Sequence, residues 1–146
     1  YVKNRKIPDS YYSKLYLSDK FMAFVNKVKP NTFSHTKGEH PRLIIPFYDK
    51  DGKVFAFQGR AFGKEQPKYL TIKLDENKQK VYGLDTVNLQ DHITIVEGPI
   101  DSMFLNNCLA AAGADLTLRI EPVNITYIFD NEPRNKEIIK RMSNIL

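Results

Sequence analysis

The sequence holds 146 residues, 42% hydrophobic and 27% charged, which suits one globular domain or two small subdomains sharing a core. Its single cysteine, Cys108, excludes an internal disulfide and any multi-cysteine metal site in this segment, and points to a reducing, cytoplasmic compartment. No apolar run approaches the roughly 20 residues of a membrane span, and 22 Lys plus Arg against 17 Asp plus Glu leave a net charge of +5, compatible with a polyanionic partner without demanding one.

The chain opens on Tyr1, in sequence of structured texture and without a signal-peptide layout, and stops inside a helical pattern; a segment of a longer protein is expected. Between Pro8 and Val28 the spacing of Tyr12, Leu15, Tyr16, Phe21, Phe24, Val25 and Val28 predicts one or two helices, broken near Leu17-Ser18-Asp19. Pro30 to Glu39 is polar and turn-rich, a loop. "RLIIPFY" and "KVFAFQGRAF" then read as two strands joined by the hairpin signal Asp49 to Gly52, with "KYLTIKL" as a third strand and "VYGL" as a short coda before a polar link through Asp91.

After Asp91 the texture changes. "HITIV" has the continuous apolar character of a strand buried on both faces. Pro99 starts a helix carrying Ile100, Met103, Phe104 and Leu105, which stops at Asn106-Asn107. "CLAAAG" and "ITYIFD" are two further strands, and Pro133 opens a basic amphipathic helix to the C-terminus. Strand–helix–strand, then strand–helix, predicts a parallel sheet flanked by helices. The expected division is an α+β subdomain with antiparallel strands over 1–91 and an α/β subdomain over 92–146.

On that reading Glu97 and Asp130 each stand past the carboxyl end of a parallel strand, where open α/β sheets place their ligands. Asp101 follows one helical turn after Glu97, and Glu132 lies two residues beyond Asp130. Four converging carboxylates would repel one another, and a divalent cation with hard oxygen ligands, Mg²⁺ or Mn²⁺, would remove the conflict. Spacing leaves the bland readings equally open: Asp130 suits a helix cap, Glu97 a solvated acid at a helix N-terminus, and Asp101 a lysine partner.

A resemblance weighs on that choice. "VEGPIDSMFL" and "FDNEPRNKEIIKRM" resemble the two leading motifs of the Toprim domain shared by bacterial-type primases, topoisomerases and some nucleases. "RLIIPFYDKDGKVFAFQGRAFGKEQPKYLTI" followed by "VYGLD" is similar to the subdomain preceding Toprim in replicative primases, and the likeness runs over nearly the whole chain, most closely to primases of T-even-type bacteriophages. The resemblance implies a Toprim-type α/β fold, truncated here at its C-terminal end. It implies that Glu97 is a metal ligand or proton-transfer group, that Asp101 is its accompanying acid, and that Asp130 and Glu132 hold Mg²⁺. The second acid departs from the broad Asp-x-Asp pattern by being a glutamate.

The resemblance also implies that Arg60 and Lys68 line a basic groove for template and nucleotide phosphates, with Arg42, Tyr69 and Arg134 as weaker candidates. His35, His40 and His92 show no metal-ligand spacing. The implied activity is that of a DNA primase, making short RNA primers on single-stranded DNA from nucleoside triphosphates beside a replicative helicase, in the host cytoplasm of a phage. Zinc would belong only to an N-terminal module outside this segment. The rival readings are another Toprim enzyme, a nuclease or topoisomerase, and a non-catalytic nucleic-acid or helicase-docking module.

Overall fold

The computed structural model describes residues 1–113 and 124–130, together with Lys140. The chain divides into two compact units, Tyr1–Lys80 and the residues from Val81 onward.

In the first unit a 3₁₀ helix, Asp9–Lys14, leads into strand β1 (Tyr16–Ser18) and helix α1 (Phe21–Val28). Strands β2 (Arg42–Tyr48), β3 (Val54–Ala61) and β4 (Tyr69–Lys73) complete a four-stranded antiparallel sheet in the order β1-β2-β3-β4. Asp49 makes the β2–β3 turn: its Oδ1 accepts from the amides of Asp51 (3.1 Å) and Lys53 (2.9 Å), while Gly52 takes the left-handed φ of 76°. Helix α1 buries Phe21 and Val25 against Ile44, Phe57 and Ile72 on one face of the sheet. Gly59 makes this approach possible, because a Cβ there would overlap the Phe21 ring. Lys20 cannot cap α1, so the Glu39 carboxylate does, accepting from the amides of Met22 (3.0 Å) and Ala23 (2.7 Å).

Strand β1 corrects the sequence reading, which expected a helix break there. Tyr16 pairs with Ile44 and Ser18 with Arg42, because the outer edge of β2 offers backbone partners that local spacing does not reveal.

The second unit holds β5 (Ile93–Val96), the single-turn helix α2 (Pro99–Ser102), β6 (Cys108–Ala110) and β7 (Ile125–Tyr127). Its sheet is parallel, as the sequence predicted, and its strand order is β6-β5-β7. Central β5 buries Ile93 and Ile95 in a core with Val81, Leu109 and Ala111, flanked by Leu84, Val87, Leu89, Ile125, Tyr127 and Phe129. The coda residue Tyr82 exchanges both backbone hydrogen bonds with Ala110 of β6 in an antiparallel bridge. Helix α2 ends earlier than expected. The Asn107 side chain is tied to Asn88 and to the His92 carbonyl, and at φ 44° Asn107 turns the chain into β6, leaving Phe104 and Leu105 exposed. The expected helix from Pro133 lies outside the described residues. Among the described residues no helix is long and apolar enough to cross a membrane.

Candidate active site

Glu97 is the first residue after β5, and Asp130 stands three residues after the end of β7. These strands are adjacent and parallel, with Ile95 opposite Tyr127, and the Ile128 amide still donates to the Ile95 carbonyl at 2.8 Å. Both acids therefore leave the sheet at its carboxyl edge. The Glu97 backbone is fixed from the β6 side, where its carbonyl accepts from Ala112 at 2.9 Å, and its Oε1 is withdrawn from solvent.

Asp101 belongs to the same edge, since α2 begins directly after Gly98. Its carboxylate folds back over Gly98, where a Cβ would overlap Oδ2. Behind it lies Cys108. Burial, and after it the Asp101 charge, push that thiol up to about 11. Glu132 lies outside the described residues.

The donor set is all carboxylate oxygen, the chemistry of a hard divalent cation that retains waters. Among the described residues no three acids, histidines or cysteines come close enough to hold one ion. Glu97, Asp101 and Asp130 thus share one sheet edge, with room left for Asp101 by a glycine, but do not converge as the sequence reading expected. A glycine directly after a strand-ending glutamate is the sequence signal for that room.

The basic candidates lie in the first unit. Arg60 of β3 stands opposite Tyr69 of β4. Its guanidinium carbon is 5.4 Å from the Tyr69 ring centroid, and the Lys68 Nζ is 5.6 Å from the same centroid. Lys68 and Tyr69 are exposed, whereas Arg60 is only 5% exposed and donates to the Ala61 carbonyl. Arg42 is more deeply committed. Its Nε donates to His40 Nε2 (3.0 Å), its two terminal nitrogens donate to the Gly59 (2.9 Å) and Pro67 (2.8 Å) carbonyls, and its plane lies over Phe21. Desolvation lowers its pKa, with the Glu65 charge acting against that shift. His40, whose Nδ1 bonds the Gly38 carbonyl, is the half-buried end of this network, as a histidine without metal spacing can be. Arg134 lies outside the described residues.

No protein-family model matches the chain. It is 39% identical over 149 aligned residues to the DNA primase of Enterobacteria phage T4, an alignment that takes in all of this chain and 43% of that protein. The chain is a homologue of DNA primases. It therefore spans less than half the length of that relative. A solved DNA primase domain from Pseudomonas aeruginosa superposes with a TM-score of 0.69 at 21% identity, over 95% of this chain and 56% of that one. A DnaG primase catalytic domain bound to single-stranded DNA gives 0.57 at 18% identity, over 75% and 46% of the two chains. These likenesses show that the α/β fold of the primase homologue, antiparallel sheet followed by parallel sheet, is that of primase domains.

Proposed function

We propose that the chain is the catalytic-core segment of a DNA primase, which joins ribonucleotides into short RNA primers on a single-stranded DNA template. The observation that carries this reading is the pair Glu97 and Asp130, set at the carboxyl ends of two adjacent parallel strands in a primase homologue. In the reaction the 3′-hydroxyl oxygen of one nucleotide bonds to the α-phosphorus of the next triphosphate. The α–β anhydride bond breaks and pyrophosphate leaves.

Glu97, Asp101 and Asp130, together with Glu132, would hold Mg²⁺ or Mn²⁺. When bound, such an ion lowers the pKa of the attacking hydroxyl and stabilises charge developing at the phosphate. Glu97, half-buried at the strand mouth, receives the hydroxyl proton. Exposed Lys68 binds phosphate as a point charge, and the Tyr69 ring offers a stacking face. Arg60 supplies positive charge beneath that ring, and Arg42 positions the β2–β4 framework from within; Arg134 would meet the triphosphate. Single-stranded DNA and nucleoside triphosphates are the substrates, a replicative helicase is the partner, and the host cytoplasm is the place of action.

The test is dinucleotide formation from labelled nucleoside triphosphates on a single-stranded template, using the full-length protein with Glu97→Gln. Loss of synthesis with an unchanged melting temperature is the expected result, since the swap keeps size and deletes charge. Synthesis at the wild-type rate overturns the reading. It would favour a non-catalytic nucleic-acid-binding module, the alternative suggested by a glutamate at position 132 in place of aspartate.

A further inference from the structure

The imidazole of His40 stands at the outer end of the bonds that hold Arg42, and the geometry fixes its state. An arginine Nε–H can only donate, so the 3.0 Å contact from Arg42 Nε makes His40 Nε2 an acceptor without a proton. The proton of the neutral ring then sits on Nδ1, which donates to the Gly38 carbonyl at 2.9 Å. Both nitrogens are satisfied in this one tautomer. A doubly protonated ring would turn a second donor, and a second positive charge, toward Arg42.

Arg42 carries that choice to the β3–β4 connection. With Nε held by His40, its terminal nitrogens reach the Gly59 carbonyl inside β3 (2.9 Å) and the Pro67 carbonyl (2.8 Å). Pro67 directly precedes Lys68, whose carbonyl accepts from the Ala61 amide at 3.0 Å where β3 and β4 meet. Glu65 of the same connection acts electrostatically on both His40 and Arg42, and its Oε2 accepts from the Gly63 amide at 2.9 Å. The neighbouring Glu39 carboxylate is taken up by the first amides of α1. Phe21, Met22, Phe33, Gln66 and Leu70, which line the cleft beside these groups, carry no charge. Arg42, Glu65 and Glu39 are therefore the charged groups around a half-buried ring that solvent protons can reach.

We infer that His40 is a positioning residue that acts through Arg42 to hold the Pro67–Lys68 segment in place, and that it does so only while its ring is uncharged. An imidazole is the side chain that takes up a proton just below neutral pH. Protonation leaves Arg42 Nε buried without an acceptor, and a buried cation keeps its place only when its donors are matched. The hold is therefore present at neutral and basic pH and is lost as pH falls. The consequence for Lys68 rests on the primase reading above, and makes phosphate binding at that residue sensitive to acid.

Hydrogen exchange of the full-length protein, read by mass spectrometry and corrected for the intrinsic pH dependence of exchange, reports the opening of residues 62–70. Parent protection should fall about ten-fold to a hundred-fold between about pH 8 and about pH 5.5, the worth of one hydrogen bond to a charged group. His40→Gln puts an amide oxygen near the Nε2 position and has no proton to gain, so it should keep parent-like protection at both pH values. His40→Ala should be poorly protected at both. Binding of a dye-labelled oligothymidylate at the lower pH, followed by fluorescence anisotropy, should be about two-fold to five-fold weaker for the parent than for His40→Gln, the share of one impaired phosphate contact. A histidine that only added surface charge would give the opposite sign, since its proton would tighten binding to a polyanion.

Parent protection that is independent of pH, an equal loss in acid by His40→Gln, or full protection in His40→Ala overturns this inference and leaves the primase reading standing. So does oligothymidylate binding by the parent at the lower pH that equals or exceeds that of His40→Gln. The expected exchange behaviour in a protein that binds no oligothymidylate at either pH would instead overturn Lys68 as a phosphate site, while His40 keeps its hold on the connection.

Discussion

The carboxylate of Asp101 occupies the space that a side chain on Gly98 would need. The backbone at Gly98, φ −103° and ψ 136°, is extended and open to any residue, so the glycine serves the carboxylate and not the turn. Gly98→Ala should displace Asp101 with little effect on the fold. We expect Mn²⁺ affinity, followed by water-proton relaxation, to fall about ten-fold, the order of effect seen when groups supporting a metal ligand are disturbed. Asp130→Asn should remove most of the same signal. Unchanged Mn²⁺ binding by both variants would detach this edge from any metal.

Lys68 and Arg60 touch the same ring from different environments, and their alanine variants should fail differently. Lys68→Ala is expected to keep the parent melting temperature and to lower the salt slope of oligonucleotide binding by about 0.7. Arg60→Ala empties a buried position between two rings and should cost roughly 1–3 kcal/mol in denaturant unfolding. Identical stability of the two variants would contradict the burial of Arg60.

Gly59 lies beneath Phe21, a ring only 2% exposed. Gly59→Ala should therefore destabilise by about 1–3 kcal/mol, the usual result of forcing a methyl group into a packed core. Combining it with Phe21→Leu should recover part of the loss. A neutral Gly59→Ala would mean that α1 can lift from the sheet without penalty.

Cys108 gives a pH prediction. Its folded pKa of about 11 lies above the usual thiol value, so the folded state holds this proton more tightly than the unfolded chain does. That contribution is complete below about pH 9 and is lost as pH rises toward 11. Unfolding free energy should fall over this window in the parent and less steeply in Cys108→Ala. Iodoacetamide should modify the native thiol slowly at pH 8 and rapidly after denaturation.

The elements legible in the sequence are those whose causes are local. Asp49 to Gly52 carries its turn chemistry within four residues, and "HITIV" announces a buried strand by its continuous apolar run. Strand β1 and the early end of α2 were not legible, because one depends on the open edge of β2 and the other on bonds from Asn107 to Asn88 and His92. The site divides the same way. An acid ending an apolar strand can be read at Glu97 and at Asp130. Their placement on neighbouring strands needs the order β6-β5-β7, which no spacing encodes. Alternation along a strand gives no warning that Arg42 and Arg60 are buried, since the groups that receive them come from His40, Pro67 and Tyr1.

The bridge between Tyr82 and Ala110 bears on how this protein can be dissected. A β-sheet rim with free amides and carbonyls is a template for unwanted pairing between molecules. Tyr82 occupies the rim of β6 with two backbone hydrogen bonds, at 2.9 and 3.1 Å. A recombinant piece begun at Val81 keeps this guard, whereas one begun after Asp91 discards it together with Val81, Leu84, Val87 and Leu89 from the core. The short stretch that reads as a coda is thus a shield against self-association, and the shorter piece should collect in inclusion bodies where the longer one remains dispersed.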